Sequence, residues 1–378
     1  MMNTNNEPNK REEYYFHTEG FTVGYNGVPL IKDIEIGLKK GEILTLIGPN
    51  GAGKTTIIRS MIRQLKPVAG VVYLEQTPIG EVPPHDLSKR LSVVLTERIR
   101  PEMMTCRDVV ATGRYPYTGR FGILGEDDNR IVDESMELVD IAFLKDRDFM
   151  ETSDGQKQRV MLARAICQQP DIIVLDEPTS FLDIRYKLEF LSIIQNMSRK
   201  RGLSVIMSLH ELDLAGRISD KIACVRGDKL DRFGTPEEIF KDGYIRELYG
   251  ISVGSYHERS GDLELDKITG EPKIFVIAGD GSGTETFRRL QREQTPFATG
   301  ILWENDIDFS AALSLAAEVV SVKAFSPITE EESRRARDLI DRCDRVICTL
   351  DLDQMGSLGT PLKELCLYAE NCGKLVNK

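Results

Sequence analysis

No stretch of this 378-residue chain stays apolar for the roughly 20 residues that a helix needs to cross a bilayer. The sequence therefore predicts a protein that is soluble, or attached to a membrane only through a partner. Positive charge is also scarce, because 60 acidic residues outnumber 49 basic ones and the formal net charge is −11. A surface of that sign argues against nucleic acid as the main partner.

Paired cysteines with C-x-x-C spacing are absent among the seven cysteines. Four of the seven lie near the C-terminus: Cys343, Cys348, Cys366 and Cys372. Their spacings match no familiar metal-ligand pattern, so we interpret them as small buried side chains in reducing, cytosolic surroundings. Residues 1–13 are polar and rich in asparagine, which predicts disorder and differs from the apolar core of a signal peptide.

The most informative motif is the glycine-rich run 48–55, Gly-Pro-Asn-Gly-Ala-Gly-Lys-Thr. It follows a predicted buried strand, residues 43–47, and precedes a predicted helix, residues 56–62, which is the context of a Walker A loop. Backbone N–H groups would surround phosphates, Lys54 would reach the β- and γ-phosphates, and the Thr55 hydroxyl would ligate Mg²⁺. We expect the nucleotide to be held here by Asn50, Gly51, Ala52, Gly53, Lys54, Thr55 and Thr56.

A second motif lies further along the chain, where the apolar residues 172–175 are followed by Asp176 and Glu177. This pattern predicts a central strand that delivers two carboxylates to its C-terminal edge, where ligands bind in open α/β sheets. We expect Asp176 to hold the Mg²⁺ shell and Glu177 to polarise the attacking water as a general base. A buried strand followed by a solvated turn is the alternative, but it does not account for acids in a chain with a Walker A loop.

Residues 152–156, Thr-Ser-Asp-Gly-Gln, precede this strand and begin a predicted helix that Ser153 caps. The stretch resembles the signature sequence of ATP-binding cassette (ABC) ATPases, whose usual form is Leu-Ser-Gly-Gly-Gln. The matching positions are Ser153, Gly155 and Gln156. The chain departs from the usual form at Thr152 and Asp154, and the aspartate variant is similar to the metal-chelate importer branch of the family.

Other elements of the same family follow in order. Tyr25 matches the aromatic residue that stacks on adenine, residues 180–183 match the D-loop, and His210 matches the switch histidine that contacts the γ-phosphate. The resemblance covers residues 21–251. It implies a cassette that binds ATP and Mg²⁺ and hydrolyses ATP, with Glu177 and His210 as its catalytic residues.

The Q-loop is the family position at which this chain differs. A glutamine is expected after the predicted strand 91–95, and the chain has Thr96 and Glu97 there. Thr96 matches best by position, and Glu97 could supply an oxygen to the metal or to water. This departure predicts altered Mg²⁺ sensing or a different coupling geometry.

The resemblance also implies a second cassette. In the family, Ser153 and Gly155 of one subunit would close over the γ-phosphate that Lys54 of the other subunit holds. Because this chain has one set of motifs, it must pair with a copy of itself or with a relative. We expect a homodimer that closes through an ATP sandwich.

Residues 109–119 follow the Q-loop and resemble the Gly-Arg-x-Pro-Tyr stretch of ATPases that power import of iron–siderophore complexes, haem and vitamin B12. A proline-broken surface loop is the alternative interpretation. The resemblance implies a peripheral subunit at the cytoplasmic face of the cell membrane, bound to a separate integral-membrane permease and indirectly to an extracytoplasmic solute-binding protein. A soluble ABC ATPase without a transport role ranks second, and a ligand-sensing C-terminal region is a third hypothesis.

The expected fold class is α/β: an ABC-type P-loop NTPase domain with a helical subdomain over residues 13–252, then a small Rossmann-like α/β domain over residues 253–378. Strand and helix patterns alternate in the second region, at residues 273–278, 284–290, 329–344, 345–350 and 361–371.

A second glycine-rich loop, residues 279–283, stands between the first predicted strand and helix of this region. It could hold an anion or a nucleotide, and Glu304, Asp306 and Asp308 could meet a ribose. The loop lacks the G-x-G-x-x-G spacing. Regulatory ligand binding and structural bracing are equally supported by the sequence, and independent catalysis less so.

Overall fold

A computed structural model describes residues 14–96, 101–119, 122–241, 243–257, 261–352, 356 and 359–376. Residues 1–13 and Glu97 lie outside the described residues. The chain divides into two compact units, Met1–Tyr249 and Gly250–Lys378, which we describe separately.

The first unit contains these strands: β1 Phe16–Tyr25, β2 Val28–Ile34, β3 Gly37–Leu38, β4 Ile43–Ile47, β5 Ala69–Leu74, β6 Thr77–Pro78, β7 Leu91–Val94, β8 Ile172–Leu175, β9 Ser204–Ser208, β10 Lys221–Arg226 and β11 Lys229–Gly234. Its helices are α1 Lys54–Met61, α2 Pro84–Arg90, α3 Cys106–Ala111, α4 Glu126–Leu138, α5 Asp154–Cys167, α6 Ile184–Arg201, α7 Leu212–Ile218, α8 Pro236–Ile239 and α9 Tyr244–Tyr249. Short 3₁₀ turns occur at Thr112–Arg114, Ala142–Leu144 and Phe149–Glu151.

The strands form one sheet in the order β6-β5-β1-β2-β11-β10-β4-β9-β8-β7, with β3 paired to β1. The run from β10 to β7 is parallel throughout. Strands β4, β8 and β9 are buried along their whole length, which explains their largely apolar sequences. Because β9 lies between β4 and β8, the C-terminal ends of these three strands are neighbours at one edge of the sheet.

Helices α3, α4 and α5 pack against one another as the predicted helical subdomain. As predicted, Ser153 is the N-cap of α5: it accepts a hydrogen bond from the Gln156 N–H, and the Gln156 side chain bonds back to the Ser153 N–H. Among the described residues, no helix has the length and apolar character that spanning a membrane requires.

The second unit contains β12 Ser255–His257, β13 Asp262–Glu264, β14 Ile274–Ile277, β15 Phe297–Trp303, β16 Glu318–Val322, β17 Arg345–Cys348 and β18 Leu375–Val376. Its helices are α10 Thr284–Arg292, α11 Ile307–Leu315, α12 Glu330–Arg342 and α13 Thr360–Asn371. Strands β12 and β13 form a hairpin, and the other strands form a parallel sheet in the order β16-β15-β14-β17-β18. The order reverses between β14 and β17, as in Rossmann-like folds.

The sequence patterns identified β14, β17, α10, α12 and α13 correctly. They missed β15, β16, β18 and α11, and they missed the hairpin of β12 and β13. The small Rossmann-like sheet is nevertheless the predicted fold class.

Candidate functional site

The glycine-rich loop 48–53 connects β4 to α1, which begins at Lys54. Gly48 has φ 147°, and a Cβ there would lie 2.3 Å from the Val225 carbonyl oxygen. Gly53 has φ 96°, and a Cβ there would lie 2.6 Å from Ile31 Cδ1. Both positions therefore require glycine, and the loop can wrap closely only because it has no side chains at these points.

Lys54 is 5% exposed, and its ammonium group donates to the carbonyl oxygens of Gly48 at 2.7 Å and Pro49 at 3.1 Å. Burial lowers its pKa below the usual value, although the charges of Glu177 and Asp176 act in the opposite direction. A buried cation whose hydrogen bonds go to neutral carbonyls is suited to receive an anion.

Asp176 lies just after β8, and its carboxylate accepts hydrogen bonds from the hydroxyl groups of three residues that are distant in sequence. Its Oδ1 accepts hydrogen bonds from Ser208 at 2.7 Å and Thr55 at 3.3 Å, and its Oδ2 accepts one from Thr96 at 3.3 Å. Thr96 also donates to the Asp176 carbonyl oxygen at 3.0 Å. The Q-loop threonine is therefore joined directly to the predicted metal-binding carboxylate.

Glu177 and His210 stand together at the same sheet edge. Glu177 Oε1 is 2.6 Å from His210 Nε2, and its other oxygen accepts a hydrogen bond from Ser180 at 3.3 Å. The Glu177 N–H donates to Ser208 Oγ at 2.9 Å. Both side chains are partly exposed, so water can reach the Glu177 carboxylate.

The remaining residues of the predicted nucleotide site surround this edge. Tyr25 is 53% exposed, and its hydroxyl lies 3.0 Å from Thr56 Oγ1 at the start of α1. Asn50 and Gly51 are exposed, whereas Ala52 is partly buried against the core. An exposed tyrosine ring beside the loop provides a face on which a base can stack.

The signature residues make their contacts within α5 and with the D-loop. Ser153 is exposed and is bonded to Gln156 of its own helix. A Cβ at Gly155 would lie 3.5 Å from Leu182 Cδ2. An exposed helix N-terminus is available to a phosphate from outside the chain.

This geometry fits ATP and Mg²⁺. The Thr55 hydroxyl and the Asp176 carboxylate are hard oxygen ligands already 3.3 Å apart. Among the described residues, no group of three His, Cys, Asp or Glu side chains converges as a metal site. Mg²⁺ suits such a sparse set of protein ligands, because it commonly takes its other ligands from phosphate and water.

The segment that resembles importer ATPases is anchored by a buried arginine. Arg114 is 5% exposed, and it donates to Asp128 at 2.8 Å and to the Cys167 carbonyl oxygen at 2.9 Å. Tyr115, next to it, is 62% exposed. The arginine therefore holds this segment to the helical subdomain, while the tyrosine remains available to a partner.

The glycine-rich loop of the second unit is occupied by the protein's own carboxylates. Asp308 is fully buried, and it accepts hydrogen bonds from the N–H groups of Gly283 at 2.9 Å and Thr284 at 2.8 Å. Asp306 accepts a hydrogen bond from the Asp280 N–H at 2.9 Å. These N–H groups would otherwise be free for a phosphate, so the structure favours bracing over anion binding at this loop.

Two residues in the first site were not recognised from the sequence, and for a third the sequence did not indicate its contact. Ser208 is a fully buried polar residue at the C-terminal end of an apolar strand, which is a signal that could have identified it. Thr96 was identified only as a departure from a family pattern. Tyr249, whose hydroxyl accepts a hydrogen bond from the Gly48 N–H at 3.1 Å, had no local signal at all.

Two family models match the chain. The model described as "ABC transporter" matches residues 31–180, and the model described as "MJ0874 family" matches residues 297–376. The first match covers the nucleotide loop and the signature helix, and the second covers most of the second unit.

Curated relatives match different shares of the chain. An uncharacterized ABC transporter ATP-binding protein of Methanocaldococcus jannaschii, MJ0873, is 41% identical over 75% of this chain and 99% of its own length. The iron(3+)-hydroxamate import ATP-binding protein FhuC of Bacillus subtilis is 32% identical over 62% of this chain and 88% of its own. The cobalamin import ATP-binding protein BtuD of Halobacterium salinarum is 28% identical over 84% of this chain and 81% of its own.

Solved structures share the fold of the first unit. CbiO1 of Clostridium perfringens, part of the ABC transporter complex CbiONQ, matches with a TM-score of 0.54 and 25% identity, over 62% of this chain and 94% of its own. The cassette MJ0796, solved as a dimer bound to ADP and Pi, matches with a TM-score of 0.53 and 22% identity, over 58% and 98%.

Proposed function

This chain belongs to the ABC transporter family of ATP-binding proteins and is an ATPase, and from that premise we propose that it powers import of an iron chelate, haem or a corrinoid through a membrane permease. One observation carries the proposed chemistry. The segments that follow three adjacent parallel strands, β4, β8 and β9, bring together Lys54, Asp176, Glu177 and His210. That edge is where ligands bind in open α/β sheets.

In the proposed reaction, Lys54 leaves the carbonyls of its own loop and binds the β- and γ-phosphates. Thr55 and Asp176 would hold Mg²⁺, which when bound neutralises charge on the phosphates. Glu177 accepts a proton from the attacking water. His210 contacts the γ-phosphate, and it keeps the Glu177 carboxylate in position through its 2.6 Å contact. Tyr25 stacks on the adenine.

Glu177→Gln should retain ATP binding and lose turnover by at least about 100-fold, because the amide cannot accept the proton. The measurement is steady-state ATPase rate together with equilibrium binding of ATP. Glu134→Gln, the same change at an exposed glutamate paired with Arg130 on α4, is the matched control and should keep both properties. Turnover near wild type in Glu177→Gln would remove Glu177 from the proposed role.

The transport role is supported by relatives named for import of ferric hydroxamate and cobalamin, and by the exposed Tyr115 on a segment of importer type. We propose that this segment lies against a permease in a separate chain, which keeps the ATPase at the cytoplasmic face of the membrane. A solute-binding protein would contact the permease and never this chain.

The test is to recover the tagged full chain from gently solubilised native membranes and to identify the chains that accompany it. A polytopic permease in the wild-type sample, reduced in Tyr115→Glu, is the expected result. Recovery of soluble partners alone, under conditions that preserve such complexes, would overturn the transport role and leave the ATPase chemistry intact.

A further inference from the structure

Two of the four cysteines near the C-terminus meet in the second unit. Cys348 ends β17 and Cys366 lies within α13, 18 positions apart in sequence. The Cys366 thiol donates to Cys348 Sγ across 3.2 Å. A disulfide needs about 2.05 Å between its sulfurs, so a small movement would join them.

The other two cysteines of that group are separate from the pair. Cys343 is buried and its thiol donates to the Pro272 carbonyl oxygen at 3.4 Å, whereas Cys372 is exposed. The described part of the chain brings no third His, Cys, Asp or Glu to the pair in a way that could hold a metal ion. The chemistry open to the pair is therefore that of two thiols.

The two sulfurs differ in their access to solvent. Cys348 is half-buried, whereas Cys366 is 3% exposed. The hydrogen bond to Cys348, and then burial, raise the pKa of the Cys366 thiol above its usual value. A reagent from solution therefore meets Cys348 first, and Cys366 keeps its proton until it reacts.

We propose that Cys348 and Cys366 form a reversible redox site that a low-molecular-weight disulfide oxidises. The Cys348 thiolate attacks one sulfur of that disulfide and the S–S bond of the small molecule breaks. One small thiolate leaves, and the other half stays on Cys348 as a mixed disulfide. Cys366 then attacks Cys348 Sγ and the second small thiolate leaves. Two electrons pass from the protein to the small disulfide, and the two thiol protons end on the two small thiols.

The position of the pair links its oxidation to the glycine-rich loop 279–283. Thr349 follows Cys348 directly, and its hydroxyl lies 2.7 Å from Ser282 Oγ in the glycine-rich loop 279–283. The disulfide would fix the end of β17 to α13 beside that contact. The redox site thus adjoins the edge of the sheet at which the strand order reverses.

The test exposes the folded, reduced full chain to oxidised glutathione, blocks the remaining thiols and maps the peptides by mass spectrometry. The wild type should yield a peptide in which Cys348 is joined to Cys366, two hydrogen atoms lighter than the sum of its two reduced parts and without blocking reagent on either cysteine. Cys366→Ala should stop with one glutathione on Cys348. Cys372→Ala, which removes the exposed thiol of the same unit, should form the internal bond as the wild type does.

The wild-type result decides the proposal without relying on the folding of any variant. A wild type that retains glutathione on Cys348 without closing the bond would overturn it. So would a wild type in which only Cys372 reacts, or in which Cys366 is joined to Cys372.

Discussion

Glu177 has an unusual backbone conformation for its residue type, with φ 49°. Left-handed conformations cost a non-glycine residue of the order of 1–3 kcal/mol and are concentrated at functional sites. Here the turn is held by the hydrogen bond from the Glu177 N–H to Ser208 and by the contact with His210. The surrounding strands therefore fix a carboxylate that would otherwise relax away from the sheet edge.

Tyr249 holds the base of the nucleotide loop from a distant part of the sequence. Its hydroxyl accepts a hydrogen bond from the Gly48 N–H. The Gly48 carbonyl oxygen in turn accepts a hydrogen bond from the Lys54 ammonium group. Burial raises the pKa of Tyr249 to about 12, so the hydroxyl remains neutral near pH 7. We regard it as a positioning residue, since its hydroxyl bonds to the loop and not to the reacting groups.

Tyr249→Phe should raise the KM for ATP about 5-fold with little change in kcat. The reason is that the loss of this hydrogen bond costs about 1 kcal/mol and leaves the glycine-rich loop 48–53 less ordered before ATP binds. Tyr244→Phe is the matched control on the same helix, where the hydroxyl bonds to Asp231 instead. Equal KM values in the two variants would show that Tyr249 has only a general structural role.

The ion pair of Arg114 and Asp128 makes part of the stability depend on pH. The hydrogen bond from Arg114 holds the pKa of Asp128 below its usual range, against the opposing effect of burial. A carboxyl whose folded pKa is lowered stabilises the protein above its unfolded pKa, about 3.9, and this contribution disappears as the pH falls through the folded value.

Asp128→Asn should lower the free energy of unfolding by about 3 kcal/mol at pH 7, because it leaves the buried Arg114 without its counter-charge. The difference from wild type should shrink as the pH falls below about 4, where the wild-type carboxyl becomes neutral as well. Urea unfolding of both chains across this range measures the difference. If the difference in unfolding free energy between the two chains stays constant with pH, the assigned ion pair is contradicted.

Helix α10 shows how an element can resemble a ligand site without being one. The loop before it is rich in glycine and follows a buried strand, as in nucleotide-binding folds. The first N–H groups of the helix are bonded to the buried carboxylate of Asp308, which α11 supplies. An internal anion thus stabilises the helix N-terminus permanently.

Asp308→Ala should destabilise the second unit by about 2–4 kcal/mol, because buried N–H groups lose a charged acceptor. Acetate, which can enter the vacated space as a small carboxylate, should restore part of the thermal stability. Asp280→Asn, a change at an exposed carboxylate in the same loop, should show neither effect. A stabilising response to acetate in both variants would point to a general salt effect.

We propose that two copies of the chain together complete the ATP site. The signature residue Ser153 is exposed and bonded within its own helix, so it is available to a nucleotide held by another copy. Lys54 and Glu177, by contrast, stand at the same sheet edge of one copy. Defects on the two sides of such a site should therefore complement each other.

Lys54→Ala and Ser153→Arg should each abolish ATPase activity alone, and an equal mixture should recover about one quarter of the wild-type rate. About half of the dimers in the mixture are mixed, and each of these has one intact site. Mixing Lys54→Ala with Glu177→Gln is the control, since both defects then damage the same side and no intact site forms. If the mixture of Lys54→Ala and Ser153→Arg is as inactive as this control, an ATP site shared between two copies is excluded.

The sequence by itself predicted the parts of this protein whose signals are local. Largely apolar runs predicted β4 and β8. The glycine run predicted the loop that ends at Lys54, because only glycine tolerates its close approaches. Capping chemistry predicted the start of α5 at Ser153. The weakly patterned β15 and α11 were missed, since α11 has apolar residues around its whole circumference and no clear helical face.

Only the tertiary structure decided which distant residues meet. Placing β9 between β4 and β8 is what brings Thr55, Thr96 and Ser208 to one carboxylate, and Tyr249 reaches Gly48 across 201 positions. The same is true of Asp308 at α10 and of the pair Cys348 and Cys366. Residue patterns report burial along one element, whereas these contacts depend on the order in which strands pair, and that order is set by the packing of the whole sheet.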